Sequence, residues 1–461
     1  MKPASPWRSP ERGYSAISEG GEDRGAAVAG RDLILLFTIA LIVIAAAFGG
    51  ASRENALRLA VVELFALPLG VLAIRRATLD RAARPSTAIL LLMASLIALP
   101  AMQLLPLPPE IWRQLPGQAP RADALLLAGV TPGWLPVSLN PAMTLRSVLA
   151  LLPPLAMFAA TYGLRRDRSR PLILLWLACG AVGIGLGVFQ LASPQGGPAY
   201  LYRTTNLGSL VGAFANRNHE AAFLLALVPL AASIVLGRGR RDVAVRVFAG
   251  LFIGLALLAL AGIHSRAGVI LAIPTLAVCL AVAARSQAAR WARSGGLALA
   301  ALAMVVVGAA MAFGSGPVEE RFLTPLAQDR RSLAWPIIWR AAQEHLPFGA
   351  GIGAFDRVYQ AAEPLDLIGP TYLNHAHNDF LELWLEAGWA AALLMLLFSA
   401  GWAWKTWNAW RVRSATGVAA AGSILLLAAA SFSDYPLRTE TNLVLFGFCA
   451  GLLASRGTRK Q

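Results

Sequence analysis

The sequence predicts an all-α integral membrane protein with about 12 transmembrane helices, and three observations predict it. The chain is 57% hydrophobic and only 14% charged, against about 25% charged in ordinary soluble domains. Apolar runs of about 17–25 residues recur along its length, long enough to cross the hydrocarbon of a bilayer. These runs are continuous rather than alternating, which disfavours a membrane barrel. The net charge of +15 would point to nucleic acid in a soluble protein. Here it sits in short loops between apolar runs, where it sets topology, so no nucleic-acid partner is expected.

Residues 1–31 are polar, with Pro, Gly, Ser and mixed charges, and lack the apolar core of a signal peptide. A disordered cytoplasmic tail is expected there. A bundle of nine spans follows in 32–313, at roughly 32–49, 56–74, 87–106, 143–164, 171–191, 219–236, 247–263, 268–284 and 296–313. A large loop occupies 314–380. Spans ten to twelve fill 381–455, at 381–402, 416–432 and 441–455, before a short tail at 456–461. Several runs are short or contain Gly and Pro, so the count is ten to twelve. Cys179, Cys279 and Cys449 each lie inside an apolar run and read as small hydrophobes.

Orientation comes from Lys and Arg. Basic loops around Arg75–Arg84, Arg165–Arg170, Arg238–Arg246, Arg285–Arg293 and Lys405–Arg413 alternate with poorer ones. The positive-inside rule puts them and both termini in the cytoplasm. The opposite face then receives all five histidines, His219, His264, His345, His375 and His377. It also receives arginines that oppose the charge bias: Arg203, Arg217, Arg266, Arg330, Arg331, Arg340, Arg357 and Arg438. An anionic ligand accounts for them more readily than chance does. Within the large loop, Trp335, Ile338, Trp339 and Ala342 are spaced to form one apolar face. A short amphipathic helix lying on the membrane surface is expected, capped by Ser332 and ended by the Gly-rich PFGAGIGAF.

The densest polar stretch is Asn374–Gly388, NHAHNDFLELWLEAG, at the edge of the tenth span. Histidine is the usual general base near neutral pH. Asn378 or Asp379 suits a helix cap, and a cap with hydrogen-bonded histidines is the bland alternative. A metal site is disfavoured, because there is no HExxH and no His pair at i, i+4. In the turn Ser265-Arg266 an arginine is held close to hydrocarbon. It either snorkels or binds phosphate through its planar fork. Arg330-Arg331 opens the surface helix and either attracts anionic membrane lipids or takes a specific anion. Asn216, Arg217, Asn218 and His219 open the sixth span, where a helix N-terminus favours anions and an asparagine favours capping. Asp434 either pairs with Arg438 or holds His377 or an arginine in place.

Together, GAFANRN (212–218), SRAG (265–268), RSLAW (331–335), PFGAGIGAF (347–355), HND (377–379) and DYPLR (434–438) resemble the O-antigen ligase and O-antigen polymerase superfamily of bacterial membrane glycosyltransferases. The order and the large extracytoplasmic loop match; the family's GxxG after His-Asn ends here in Ala391 rather than glycine. The resemblance implies a GT-C-like fold and transfer of a glycan from undecaprenyl diphosphate to a hydroxyl. The acceptor would be lipid A-core, a growing glycan chain or a protein hydroxyl. By position it implies His377 as base, Asp434 in support, and Arg266 and Arg331 on the diphosphate. Arg217 and Arg330 join that anion-binding set, with Asn216, Asn218, Ser265 and Asn378 supporting. It implies no cofactor, no metal and no nucleotide sugar. A lipid transporter is the rival from another class, but no internal repeat is seen and the candidate residues gather at one surface.

Overall fold

A computed structural model describes residues 19–51, 55–162, 164, 166–237, 243–286, 330–369 and 372–455. Backbone amides in hydrocarbon must find partners within the chain, and the apolar runs accordingly form helices. In order these are α1 (Glu19–Phe48), α2 (Ala56–Leu79), α3 (Thr87–Gln103), α4 (Pro109–Trp112), α5 (Ala119–Leu127), α6 (Pro141–Ala150), α7 (Leu152–Thr161), α8 (Arg166–Ala192), α9 (Arg217–Val235), α10 (Val243–Ile263) and α11 (Arg266–Arg285). Then come α12 (Arg330–Glu344), α13 (Phe355–Ala362), α14 (Asp379–Arg411), α15 (Ala415–Ala430) and α16 (Glu440–Ala454). Strands β1 (Pro106–Leu107) and β2 (Leu135–Pro136) pair antiparallel and close the α4–α5 excursion.

Seven helical segments of the described residues are long and apolar enough to cross a membrane, and shorter apolar helices occupy Asp32–Phe48, Thr87–Gln103, Ala415–Ala430 and Glu440–Ala454. The protein is a multi-pass, helical membrane protein. Every expected span carries one of these segments except 296–313, which lies outside the described residues, as do 1–18, 314–329 and the 456–461 tail. Helix α1 starts at Glu19, inside the stretch expected to be a disordered tail. A helix nucleated by an apolar span extends cheaply, one hydrogen bond per added residue.

Helix α9 is the centre of the bundle, with 89% of its apolar window buried. It packs against α8, α10, α11 and α15, while α7 joins α2 to α16. Trp176 sets its ring against Phe223 and Phe448 in this core.

A second, smaller core lies under α12. Ala334, Ile338 and Ala342 bury against Phe355 and Val358 of α13 and Leu385 of α14. Ile338 and Ala342 of the expected apolar face are therefore covered by protein, while Trp339 of the same face stays 53% exposed. Ser332 does not cap the helix, which already includes Arg330.

The PFGAGIGAF turn locks this small core to the bundle. Ala350 N donates to Leu385 O (3.0 Å), Gly351 N to Glu386 O (3.0 Å) and Trp389 N to Pro347 O (3.0 Å). From α3, Gln103 donates through Nε2 to Glu386 O (2.9 Å) and accepts from Ile352 N (2.9 Å). Helix α14 breaks at Gly388, with φ 54° and ψ −135°. A Cβ there would lie 2.3 Å from Pro347 O, and one on Gly349 2.4 Å from Glu386 O. Only glycine allows both the left-handed conformation and the approach. Gly388→Ala is expected to cost about 1–2 kcal/mol for the backbone alone, and more for the clash. Thermal unfolding in detergent should show a lowered midpoint, whereas Gly401→Ala, whose added Cβ meets nothing within 4 Å, should not fall.

Candidate active site

Five polar segments converge at one end of the bundle: the N-termini of α9, α11 and α14, the end of α15, and the turn leading into α16. Asp434, in that turn and 2% exposed, accepts from the starts of α9 and α14 and from its own turn. Asn216 caps α9 by accepting from Asn218 N (2.9 Å) and donates through Nδ2 to Asp434 Oδ2 (3.3 Å). Asn218 Nδ2 donates to the same oxygen. Ser265 caps α11, accepting from Gly268 N (2.9 Å), and donates to Asn218 Oδ1 (2.7 Å). Tyr435 N adds a bond to Asp434 Oδ1 (3.0 Å).

Two histidines reach the same carboxylate. His377 Nδ1 lies 3.0 Å from Asp434 Oδ1, and His219 Nε2 lies 3.4 Å from it. Burial alone would raise the Asp434 pKa, but the hydrogen bonds and charge of His219 and His377 outweigh it. The carboxyl is held well below its ordinary 3.8. An ionised Asp434 only accepts, so the proton between it and His377 sits on Nδ1. In the neutral ring this leaves the basic lone pair on Nε2, and the side chain is 13% exposed. The backbone of His377 is left-handed (φ 49°), and Asn378 follows as the cap of α14, its Oδ1 accepting from Phe380 N (3.1 Å) and Leu381 N (3.0 Å). Tyr435 packs its ring against those of His375, His219 and His377 at 4.3, 4.6 and 4.9 Å. Burial and the neighbouring Asp434 charge raise the tyrosine's pKa, so its phenol stays neutral.

The remaining expected residues are distributed around this cluster. Arg331 donates through Nη1 to Ser433 O (3.2 Å), and that atom is 3.8 Å from Asp434 Oδ2. Arg266 opens α11 directly after Ser265 and has no acidic partner among the described residues. Arg217 turns towards the preceding loop, with Nη1 3.3 Å from Ser209 Oγ. Arg330 begins α12, and its side chain lies outside the described residues.

Asp434 does not pair with Arg438. The Arg438 fork is taken by three acids on one face of α14: Nε 3.5 Å from Asp379, Nη1 3.5 Å from Glu382 and Nη2 2.9 Å from Glu386. Burial lowers the arginine's pKa, but those three carboxylates outweigh it and hold it above its ordinary 12.5. His375 is bound to Glu382 (2.7 Å) and is buried. Asp379 also accepts from Ser431 Oγ (2.7 Å), tying α14 to α15. The signal for this network was in the spacing 379, 382, 386, one helical face of acids that needs a cation. His219, Tyr435 and Gln103 had no comparable signal.

Residues 251–396 match the O-antigen ligase family. The match begins in α10, ends in α14 and includes Ser265, Arg266, Arg331 and His377. Asn216, Asn218 and Asp434 lie outside it, yet Asn218 bonds to Ser265 and Asp434 to His377 within the matched segment. The resemblance read from the motifs is thus supported over this segment, with a membrane glycosyltransferase of ligase or polymerase type as its general activity. No curated protein matches the chain.

The Arg438 network bears on stability. Arg438→Met would leave Glu382 and Glu386, both fully buried, without their cation. Removing one partner of a buried pair costs about 3–5 kcal/mol, so a large fall in the thermal midpoint is expected. Arg438→Lys, which supplies one charge without the fork, should fall between the two.

Proposed function

We propose that the protein transfers a glycan from undecaprenyl diphosphate to a hydroxyl acceptor at the periplasmic face of the inner membrane, in the manner of an O-antigen ligase. The observation that carries this is the Asp434–His377 pair: a buried carboxylate fixes Nδ1–H of an accessible histidine (3.0 Å), beside Arg331 and joined through Asn218 to the Ser265-Arg266 turn. His377 Nε2 takes the proton from the acceptor hydroxyl. The acceptor oxygen bonds to the anomeric carbon as that carbon's bond to the diphosphate breaks. The lipid diphosphate leaves as an anion whose charge Arg266 and Arg331 neutralise, with Arg217 and Arg330 near the same end. A diphosphate is already a good leaving group, so positioning, one base and charge stabilisation suffice. Guanidinium forks fill the role that a metal ion plays in other phosphate sites. Asp434, with Asn216 and Asn218, keeps the His377 tautomer and orientation. Lipid A-core is the proposed acceptor class, and a growing chain end is the polymerase counterpart.

His377→Ala is expected to lower transfer from a lipid-linked glycan by about 10²–10⁴-fold with normal expression and membrane insertion. Near-wild-type transfer by this variant would overturn the mechanism, and activity lost in EDTA and restored by a divalent ion would overturn its metal independence. Asp434→Asn should also lose most transfer, because the amide can donate to Nδ1 and stabilise the wrong tautomer. A deletion strain should accumulate long chains on the carrier; single unpolymerised repeats would indicate a polymerase instead.

A further inference from the structure

Three of the arginines on this face do not reach the Asp434 cluster. A cavity of about 500 Å³ lies between α5, α12 and α13, and its lining includes Arg121, Arg340, Arg357, Glu344, Leu139 and Ile337. That volume is within the usual 300–1,000 Å³ of small-molecule sites. Three guanidiniums face one carboxylate. Neither Arg340 nor Arg357 pairs with an acid among the described residues. Arg121 is held by Pro136 O (3.0 Å) and Gln118 Oε1 (3.4 Å), with its guanidinium 5.6 Å from the centre of the Trp112 ring. Burial lowers its pKa from the ordinary 12.5. A partly desolvated cation with only neutral partners is poised for an anion.

Arg340 and Arg357 are exposed at this cavity, and a buried ring forms part of its wall. The His345 ring, 94% out of solvent by its 6% exposure, bonds through Nδ1 to Ala341 O (2.8 Å). It also fills the space that Gly117 leaves open, where a Cβ would lie 2.3 Å from Cδ2. This contact registers the α4–α5 excursion on α12, bringing Arg121 to the same cavity as Arg340. The helical period puts Arg340 and Glu344 on the side of α12 away from Arg331, Trp335 and Ile338. At about 1.5 Å per residue, Arg340 is about 13 Å along the helix from Arg331. A ligand here would not compete with one at the Asp434 cluster, but a saccharide a few sugars long would span the distance.

We propose that this cavity is a second saccharide subsite that takes an acidic sugar, with the guanidiniums of Arg121, Arg340 and Arg357 on its anionic group and Leu139 and Ile337 against its ring. The assignment of a sugar rests on the glycan-transfer reading. The experiment is calorimetric titration of the detergent-solubilised full chain with an oligoglucuronate and with a neutral oligoglucose of equal length. The acidic oligosaccharide is expected to bind at least tenfold more tightly. Arg340→Gln/Arg357→Gln should weaken it at least tenfold without moving the thermal midpoint, and the single variants serve if the pair unfolds. His377→Ala should bind as the wild type does, so a failure of the transfer mechanism leaves this test intact. In a transfer assay the arginine variants should raise KM for the lipid-linked donor if the sugar belongs to the donor, or for the acceptor if it belongs there. Equal binding of the neutral oligosaccharide, unweakened binding by the variants, or displacement by phosphatidylglycerol nanodiscs would overturn the proposal.

Discussion

The end of the bundle that holds the polar residues depends on one buried carboxylate. An isolated ionised carboxylate in such surroundings would be prohibitively costly. Asp434 is tolerated because Asn216, Asn218, Tyr435 N and His377 all donate to it, with His219 close by. The two asparagines sit at the start of α9, His377 just before α14, and Tyr435 in the turn before α16. The charge therefore draws the N-termini of α9 and α14 and the turn before α16 to one point. Through Asn218 and Ser265 the same pull extends to α11. Because the segments are pinned by polar ends rather than by apolar faces, the arrangement is directional, and it positions one imidazole nitrogen.

A second layer holds that point in place. Asp379, Glu382 and Glu386 clamp Arg438, and the Gly-rich turn threads the break at Gly388. The break is what lets one continuous apolar run serve two purposes. Its first two turns, Asp379–Ala387, present acids to a protein interior. Beyond Gly388 the same helix turns Trp389, Leu393, Leu396 and Leu397 outward. Gln103 bridges turn and break from α3, so the first half of the chain also helps set the position of His377.

Much of this was legible in the sequence, because hydropathy and charge are additive along a chain. The spans came from run length, and the convergence of His377, Asp434, Ser265 and the asparagines on one end came from topology plus resemblance. Choices between equally plausible partners were not legible. Asp434 had Arg438 four residues away and took His377 from 57 residues away instead, since Arg438 met three acids on α14. Local proximity lost to the larger electrostatic sum. The same holds for α12, whose spacing shows an apolar face but not what covers it: protein and membrane surface impose the same pattern. His219 was visible only as one more residue near a helix start, and its value lies in a long-range contact.

A negative charge at the heart of the proposed anion-binding site needs an explanation. In the proposed reaction the diphosphate and Asp434 would repel one another if both faced the same solvent-filled space. The geometry avoids this. Asp434 is enclosed, and its lone pairs are already directed at donors from α9, α14 and its own turn. Arg331 lies on its open side, with a third of its side chain exposed. Coulomb interactions fall with distance and with effective dielectric, so the nearest charge dominates for a ligand arriving from outside, and that charge is the guanidinium. Asp434 then acts mainly on the groups that enclose it: it orients His377, and it helps hold Arg331 where a ligand can meet it. The carboxylate is compatible with an anionic substrate because it is buried; an exposed aspartate at the same place would not be.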